Sequence, residues 1–387
     1  MRILVVPKWF PWPELPVWGW FCREQADALA TRHDVVVLAS LFTPSPDFRC
    51  FRLTDQVEDG LRVLRVRYRR PRLRPFALVF QLMGMLAALR RLRGERWRPD
   101  IVHAHVYSAA LPALALARLS RAPMAVTEHY TGFPRGLVTG YDRLLARIAF
   151  HRADVVATVS DYLGRHVRAV APKARLITVP NVVDTETFAP PGEARAPTGA
   201  PLLLGVGALA EKKGNAHLLE ALALLPNARL ELIGDGELRA ALERRARELG
   251  VHDRVDFRGE QPNHVVAERM RAADLFVLPS LFETFGVVLI EAAASGLPSV
   301  ATRVGGVPEA LVPGSGVLVE PADPGALAEG IEQALATHFD GAAMAAAVHD
   351  RFGVDAFAER WTQIYTELLR SRGSTSSATS RAVAPSE

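Results

Sequence analysis

The chain has 387 residues and a mass of 42.3 kDa, enough at roughly 150 residues per domain for two or three domains. With 49% apolar and 23% charged residues it reads as an ordinary globular protein, which excludes a disordered chain, a collagen-like repeat and a disulfide-stapled mini-protein. The net charge of +4 is uneven: ten arginines and no acid lie between Gly60 and Gly94, against −6 over the rest, so the basic character is local and does not indicate a general affinity for nucleic acid.

In chain order, Met1–Val6 (MRILVV) is a short apolar run of the kind found in buried parallel strands. Pro7, Lys8 and Pro11 interrupt it too early for a secretory signal. Phe21–Thr31 follows as a helix and Val35–Ala39 as a strand. Leu64, Val66 and Tyr68 alternate with Arg65, Arg67 and Arg69, the period of a half-exposed strand. Phe76–Leu89 is an apolar helix shorter than the ~20 residues that span a bilayer. Ile101–His103, Ala125–Thr127 and Val155–Thr158 are strands, with helices at Ala109–Arg118 and Tyr162–Val170. The stretch Val179–Gly199 is rich in Pro, Gly and Ala and lacks periodicity, so it is the expected join and hinge.

The pattern then restarts. Leu202–Val206, Arg229–Ile233, Val255–Phe257, Leu275–Leu278 and Ser299–Ala301 read as strands, with a helix at His217–Leu225. Such alternation predicts parallel sheets covered by helices, hence an α/β protein with two Rossmann-like, doubly wound domains over residues 1–185 and 186–355. A last helix at about 356–370 comes after the second sheet and is expected to pack back on the first domain. Residues 371–387 are low-complexity and polar, with the composition of a disordered tail.

Ligands of open α/β sheets bind beyond the carboxyl ends of strands, which directs attention to the loops there. Gly205–Gly214 (GVGALAEKKG) follows a strand and precedes a helix; its glycines and Lys213 suit a diphosphate, and a tight turn with solvated lysines is the alternative. It is neither GxGxxG nor a P-loop. The segment 279–296 (PSLFETFGVVLIEAAASG) places Glu283 in a loop, opens a helix at Gly286, and sets Glu291 amid an otherwise apolar helix. A carboxylate on a buried helix is costly without a partner, and a pair of ribose hydroxyls would supply one. Cys22 and Cys50 form no CxxC pair, the histidines lack ligand spacing and no Asp-x-Asp follows a strand, so no metal is expected.

The E-x7-E pair Glu283 and Glu291, followed by GGVPE at 305–309, resembles the donor site of retaining glycosyltransferase family 4, the "glycosyl transferases group 1" proteins of GT-B fold. DIVHAH, VPNVVDTETF, LIGDGELRAALE, RVDFRGE and ADLFVLPS resemble that family's landmarks in its order, over about residues 1–365. The resemblance implies two domains facing across a cleft. It implies a retaining transfer of a sugar from a nucleotide-diphosphate-sugar, the co-substrate, to a hydroxyl of a glycan, lipid-linked or small-molecule acceptor, with no cofactor or metal. By position, Gly19 matches the glycine that approaches the donor phosphates, Lys213 the diphosphate lysine and Glu291 the ribose glutamate. Glu283 matches the glutamate near the donor sugar, with the amides of Thr284, Phe285, Gly286 and Val287 contacting sugar or phosphate. His129 resembles the histidine beside the reacting sugar, and His105 is a weaker candidate on the acceptor side.

One position departs from the pattern: Ala208 stands where many members have a phosphate-binding Arg, a gap that Lys212 or Arg303 would have to fill. That departure keeps open a catalytically silent nucleotide-sugar-binding partner, beside an epimerase of the same fold. The expected partners are the nucleotide sugar and its acceptor, and no nucleic acid, since no RRM or KH signature accompanies the arginines. Arginines flanking an apolar helix admit two readings over residues 62–93: peripheral contact with anionic lipid, or a helix covering the first sheet. The expected location is accordingly cytoplasmic, with peripheral attachment to the inner face of the plasma membrane under the first reading. Trp9, Phe10, Trp12, Trp18 and Trp20 suit either an acceptor cleft or packing on the first sheet.

Overall fold

Apolar runs without alternation are buried on both faces, and in the computed structural model they pair into two parallel sheets. The structure describes residues 1–44, 47–69, 75–191 and 199–380, with 75–77 and 373–380 described by backbone only. Arg70, Arg72 and Arg74, positions 192–198 of the expected linker and 381–387 of the expected tail lie outside the described residues.

The first sheet has eight strands. Its elements are β1 (Arg2–Pro7), α1 (Trp20–Ala30), β2 (Asp34–Thr43), β3 (Phe51–Glu58), β4 (Leu61–Arg69), α2 (Pro75–Gly94), β5 (Ile101–His105), α3 (Tyr107–Ser120), β6 (Met124–Glu128), α4 (Gly140–Arg152), β7 (Val155–Thr158), α5 (Asp161–Val170) and β8 (Leu176–Thr178). The order is β3-β4-β2-β1-β5-β6-β7-β8, parallel except for the β3–β4 hairpin.

The second sheet has six strands, all parallel, in the order β11-β10-β9-β12-β13-β14. It comprises β9 (Leu202–Val206), α6 (Asn215–Leu224), β10 (Arg229–Ile233), α7 (Arg239–Glu248), β11 (Val255–Gly259), α8 (Asn263–Ala272), β12 (Leu275–Leu278), α9 (Val287–Ala294), β13 (Ser299–Thr302), α10 (Val307–Ala310) and β14 (Gly316–Val319). Then come α11 (Pro324–Ala336), α12 (Gly341–Phe352) and α13 (Val354–Ser380). Leu203, Leu218, Leu230, Leu275 and Ile331 anchor the core of this sheet.

The chain divides into two compact units: Met1–Val159 with Gly164–Val179 and the chain from Phe357 on, and Ser160–Leu163 with Pro180–Ala356. The boundary between the units, at Val179 and Pro180, coincides with the start of the expected linker, and the rest of its described part belongs to the second unit. Val182, Val183 and Phe188 are buried, and Asp184 closes a turn by accepting the N–H groups of Glu186 and Thr187, so residues 180–191 are packed chain.

Three further corrections concern burial and pairing. Arg65 was expected on an exposed strand face, yet it is buried, paired with Glu58 and donating to the Pro11 carbonyl at 3.0 Å. The partner strand β3 escapes a sequence reading because its polar alternation resembles a loop, although Asp59-Gly60 is a hairpin signal. The tail expected to be disordered from 371 is helical to Ser380. α13 is fixed by buried Trp361, Tyr365 and Leu368, and one turn on Arg372 bonds Asp154 at 3.1 Å.

His103 lies on strand β5, within the strand expected at Ile101–His103. Its Nδ1 lies 2.7 Å from the Tyr365 hydroxyl and its Nε2 2.7 Å from Thr127 Oγ1, so both nitrogens of a fully buried ring are satisfied. Tyr365→Phe strands the Nδ1 and is expected to destabilise the chain by about 1–3 kcal/mol in urea denaturation.

Candidate functional site

Strand order decides which loops meet. β9 lies between β10 and β12, so the loop after β9 and the loop after β12 emerge side by side at the carboxyl edge, where the order reverses. The carbonyl of Lys212 accepts the N–H groups of Leu281 and Phe282 at 2.8 and 3.2 Å, which locks the two loops together. That lock carries Lys213 Nζ to 2.6 Å from Glu283 Oε2, with both side chains largely buried. Burial alone would raise the Glu283 carboxyl. Lys213, helped by Lys212 and the N–H of Thr284, holds it below its ordinary value. Lys213 lines a crevice with Gly207, Leu209, Asn215, Leu278 and Pro279.

The glycines of GGVPE have a physical reason here. A Cβ on Gly305, at φ +55°, would lie 1.8 Å from the Glu283 carbonyl oxygen, and one on Gly306 2.1 Å from that of Thr284. The pair thus seats the Glu283–Thr284 turn. Glu309 of the same motif accepts the N–H groups of Asp161 and Tyr162 at 2.7 and 2.9 Å, while Ser160 Oγ donates to the Thr284 carbonyl at 2.6 Å. Phe285 turns its ring into the core against Phe352, so only its backbone is available to a ligand. Gly286 and Val287 open α9, on which Glu291 is buried. Glu291 accepts no hydrogen bond among the described residues, and burial pushes its carboxyl up to about 7.

In the first unit, Gly19 precedes α1 at φ +76°, and a Cβ there would meet the Trp9 backbone at 2.4 Å. His129 follows β6 and is almost buried; its Nε2 lies 3.2 Å from His105 Nδ1, and its ring packs on Phe21 at 4.8 Å. His105, considered for the acceptor side, is fully buried at the end of β5. Burial lowers its imidazole to about 3. Sequence reasoning missed Glu128. Its buried carboxyl accepts the N–H groups of Tyr107, His129 and Tyr130, each at 2.9 Å, and so fixes the turn that carries His129.

Residues 191–346 match the family profile "Glycosyl transferases group 1", and residues 19–187 match "Glycosyltransferase Family 4". The chain is 31% identical over 364 residues to a glycogen synthase of Mycobacterium tuberculosis, covering 87% of this chain and 86% of that one. It belongs to the group 1/family 4 glycosyltransferases of GT-B fold. A GDP-mannose-dependent phosphatidylinositol monomannoside mannosyltransferase of Mycolicibacterium smegmatis is 32% identical over 298 residues, 70% of this chain and 76% of its own length. Among solved structures, a sucrose-phosphate synthase from Thermosynechococcus elongatus superposes with a TM-score of 0.78 at 23% identity, covering 96% of this chain and 99% of that one. Anabaena HepE, solved with UDP and glucose, gives 0.72 at 19%, covering 95% and 100%. At those identities the superpositions speak to fold.

Of the family positions, Lys213, Glu283, Thr284 and Gly286 are drawn together by the β9 and β12 loops, with Glu291 just over one turn into the helix that Gly286 opens. Of the two cations considered for the gap at Ala208, Arg303 pairs with Glu320 at 3.6 Å on the surface. Lys212 instead acts electrostatically on Glu283. Phe10 and Trp12 pack in the core with Arg65 over both rings, whereas Trp9 stands against Phe21 and Tyr130 beside His129.

The Glu291 carboxyl is raised on folding, so its cost is absent below the unfolded value near 4.5. The cost grows as pH climbs towards the folded value of about 7. Glu291→Gln removes that cost. Urea denaturation at pH 8 is therefore expected to show the variant more stable than wild type by an amount on the order of 2–3 kcal/mol larger than the difference at pH 4. A difference independent of pH would show that Glu291 ionises freely in the folded chain.

Proposed function

We propose that this glycosyltransferase moves a sugar from a nucleotide-diphosphate-sugar to an acceptor hydroxyl of a glycan, lipid-linked molecule or small molecule, with retention at the anomeric carbon. The observation that carries the reading is the Lys213–Glu283 pair, held at the edge of the second sheet, with the buried Glu291 on the helix that follows. Sugar transfer builds positive charge at the anomeric carbon and negative charge on the leaving diphosphate, and fixed cations and dipoles must meet the latter. A diphosphate at Lys213 competes with Glu283 for the ammonium group. Glu283, released, becomes an acceptor for the sugar's hydroxyls, and so serves as a donor-positioning carboxylate. Lys212 supplies the second cation in place of the arginine absent at Ala208. Gly19 gives a close backbone approach to the phosphates, and the Thr284, Phe285, Gly286 and Val287 amides hold sugar or phosphate. Ribose hydroxyls donate to Glu291 and compensate its burial. His129 stands beside the transferred sugar, oriented by Glu128.

Thermal unfolding with UDP, GDP and ADP sugars tests the donor half. A ligand at 100 times its Kd adds about 2.7 kcal/mol, so a Tm rise with one nucleotide class is expected, abolished by Glu291→Ala and weakened by Lys212→Ala. No rise with any donor, with or without glycan acceptors, would overturn the donor site, whereas a rise with no nucleotide released from the donor in the presence of acceptors would leave the silent-partner reading in its place.

On the acceptor side we propose peripheral contact with anionic lipid, narrowed from the whole arginine segment to α2. Arg62, Arg65, Arg67 and Arg91 are ion-paired with Asp55, Glu58, Glu14 and Glu95 and have little charge to offer a membrane. Leu78, Val79 and Met83 are exposed on α2, with Arg90 exposed on the same helix. None of the helices searched among the described residues is long and apolar enough to cross a bilayer. Co-sedimentation with phosphatidylglycerol vesicles at low salt is expected, and Val79→Asp/Met83→Asp should abolish it. A wild-type chain that stays in the supernatant rules the contact out.

A further inference from the structure

Strand adjacency in the first sheet gathers a second cluster. β1 is the neighbour of β5, and β5 of β6, so α1, the end of β5 and the residue after β6 converge. They contribute Cys22, His105 and His129, all buried, each offering one ligating atom within 4.8 Å of the others. Cys22 is a free thiol. The ring nitrogen of His105 that faces His129 is Nδ1, while its Nε2, buried with no hydrogen-bond partner among the described residues, stays outside the donor set.

We propose that Cys22, His105 and His129 form a site for a soft or borderline divalent ion of the zinc class, and that filling it withdraws His129 from sugar transfer. One thiolate and two imidazoles are the donor set such ions prefer, and three protein ligands leave a fourth position for water. His105 Nδ1 and His129 Nε2 are 3.2 Å apart, sharing one proton between them. Two nitrogens on a tetrahedral ion with bonds of about 2.0–2.1 Å stand only slightly farther apart, so small ring shifts admit an ion between them, the shared proton passing to the other nitrogen of the ring that carried it, so that both imidazoles stay neutral. Binding breaks the Cys22 S–H bond, forms a metal–sulfur bond and releases the proton to solvent. One positive charge then remains on the ion and thiolate. The binding half stands without the function proposed above; the inhibitory half rests on the role given there to His129.

The test uses the full chain with Co2+ and Zn2+. Co2+ is expected to give a thiolate-to-cobalt charge-transfer band that Zn2+ displaces. The band should survive Cys50→Ser, which leaves the core untouched, and vanish in Cys22→Ser; equilibrium dialysis should show Zn2+ binding lost with Cys22→Ser or His105→Ala. Cobalt binding without a sulfur band, or a band lost in Cys50→Ser, overturns the site. Zn2+ is also expected to abolish sugar transfer by the wild type and to spare Cys22→Ser. Zn2+ bound through Cys22 with transfer unchanged would overturn the inhibitory half and the role of His129 together, leaving the ion site standing.

Discussion

Lys213 and Glu283 are 70 residues apart in sequence and 2.6 Å apart in space, and that contact follows from one topological constraint. A parallel sheet that grows outward from a central strand must leave two adjacent strands whose following loops turn apart, and the crevice between those loops is where a ligand can reach backbone amides. β9 and β12 are such a pair, as are β1 and β5. The backbone rail from Lys212 to Leu281 and Phe282, and the glycines packed against the Glu283–Thr284 turn, then convert a topological crevice into a defined geometry. A side chain on Gly305 would displace the carboxylate that the two loops were brought together to hold.

The buried carboxylates show how satisfaction separates scaffold from site. Glu231, on β10, is ion-paired with Arg258 and Arg269, which answers its charge locally. Glu128 receives three backbone N–H groups and so spends its acceptors on shaping a turn. Glu291 receives none among the described residues, and burial raises its carboxyl. Desolvating a carboxyl is costly, and the ribose hydroxyls proposed for this position would compensate that cost. The three residues have similar burial. What they touch decides their reading.

Much of this was legible in the chain itself. Leucine- and valine-rich runs marked most strands because strands buried on both faces cannot afford polar residues, and the lone glutamate in VVLIEAAA marked Glu291 for the same reason. What stayed hidden depends on pairing across distance. β3 looks like a loop until β4 is beside it, and the arginines of β4 look like a basic surface until Asp55 and Glu58 of β3 are opposite them. Glu128 was visible as a letter in TEHY, but its value lies in reaching the N–H of Tyr107, on the neighbouring strand's following helix. The convergence of Cys22 with His105 and His129 has no signature in spacing at all, since it is made by strand order.

The histidines of β5 and β6 show how function rises towards the carboxyl edge of one sheet. His103, pairing with Val5 and Ala125 in register, is deepest; both its nitrogens are bonded and its ring packs at a tilt against Trp361 at 4.3 Å. Two residues on, His105 stacks on His103 and shares one nitrogen with His129 while the other finds no partner among the described residues. His129, just past the end of β6, has the part-exposed aromatic neighbours Trp9 and Tyr130 near it. The same side chain is thus a core hydrogen-bonding group, an intermediate, and a residue at the rim, within a few ångströms of strand. Strand alternation keeps His103 and His105 on one face, so an ion or proton that reaches His129 meets His105 next and stops at His103, whose two bonds leave it nothing to offer.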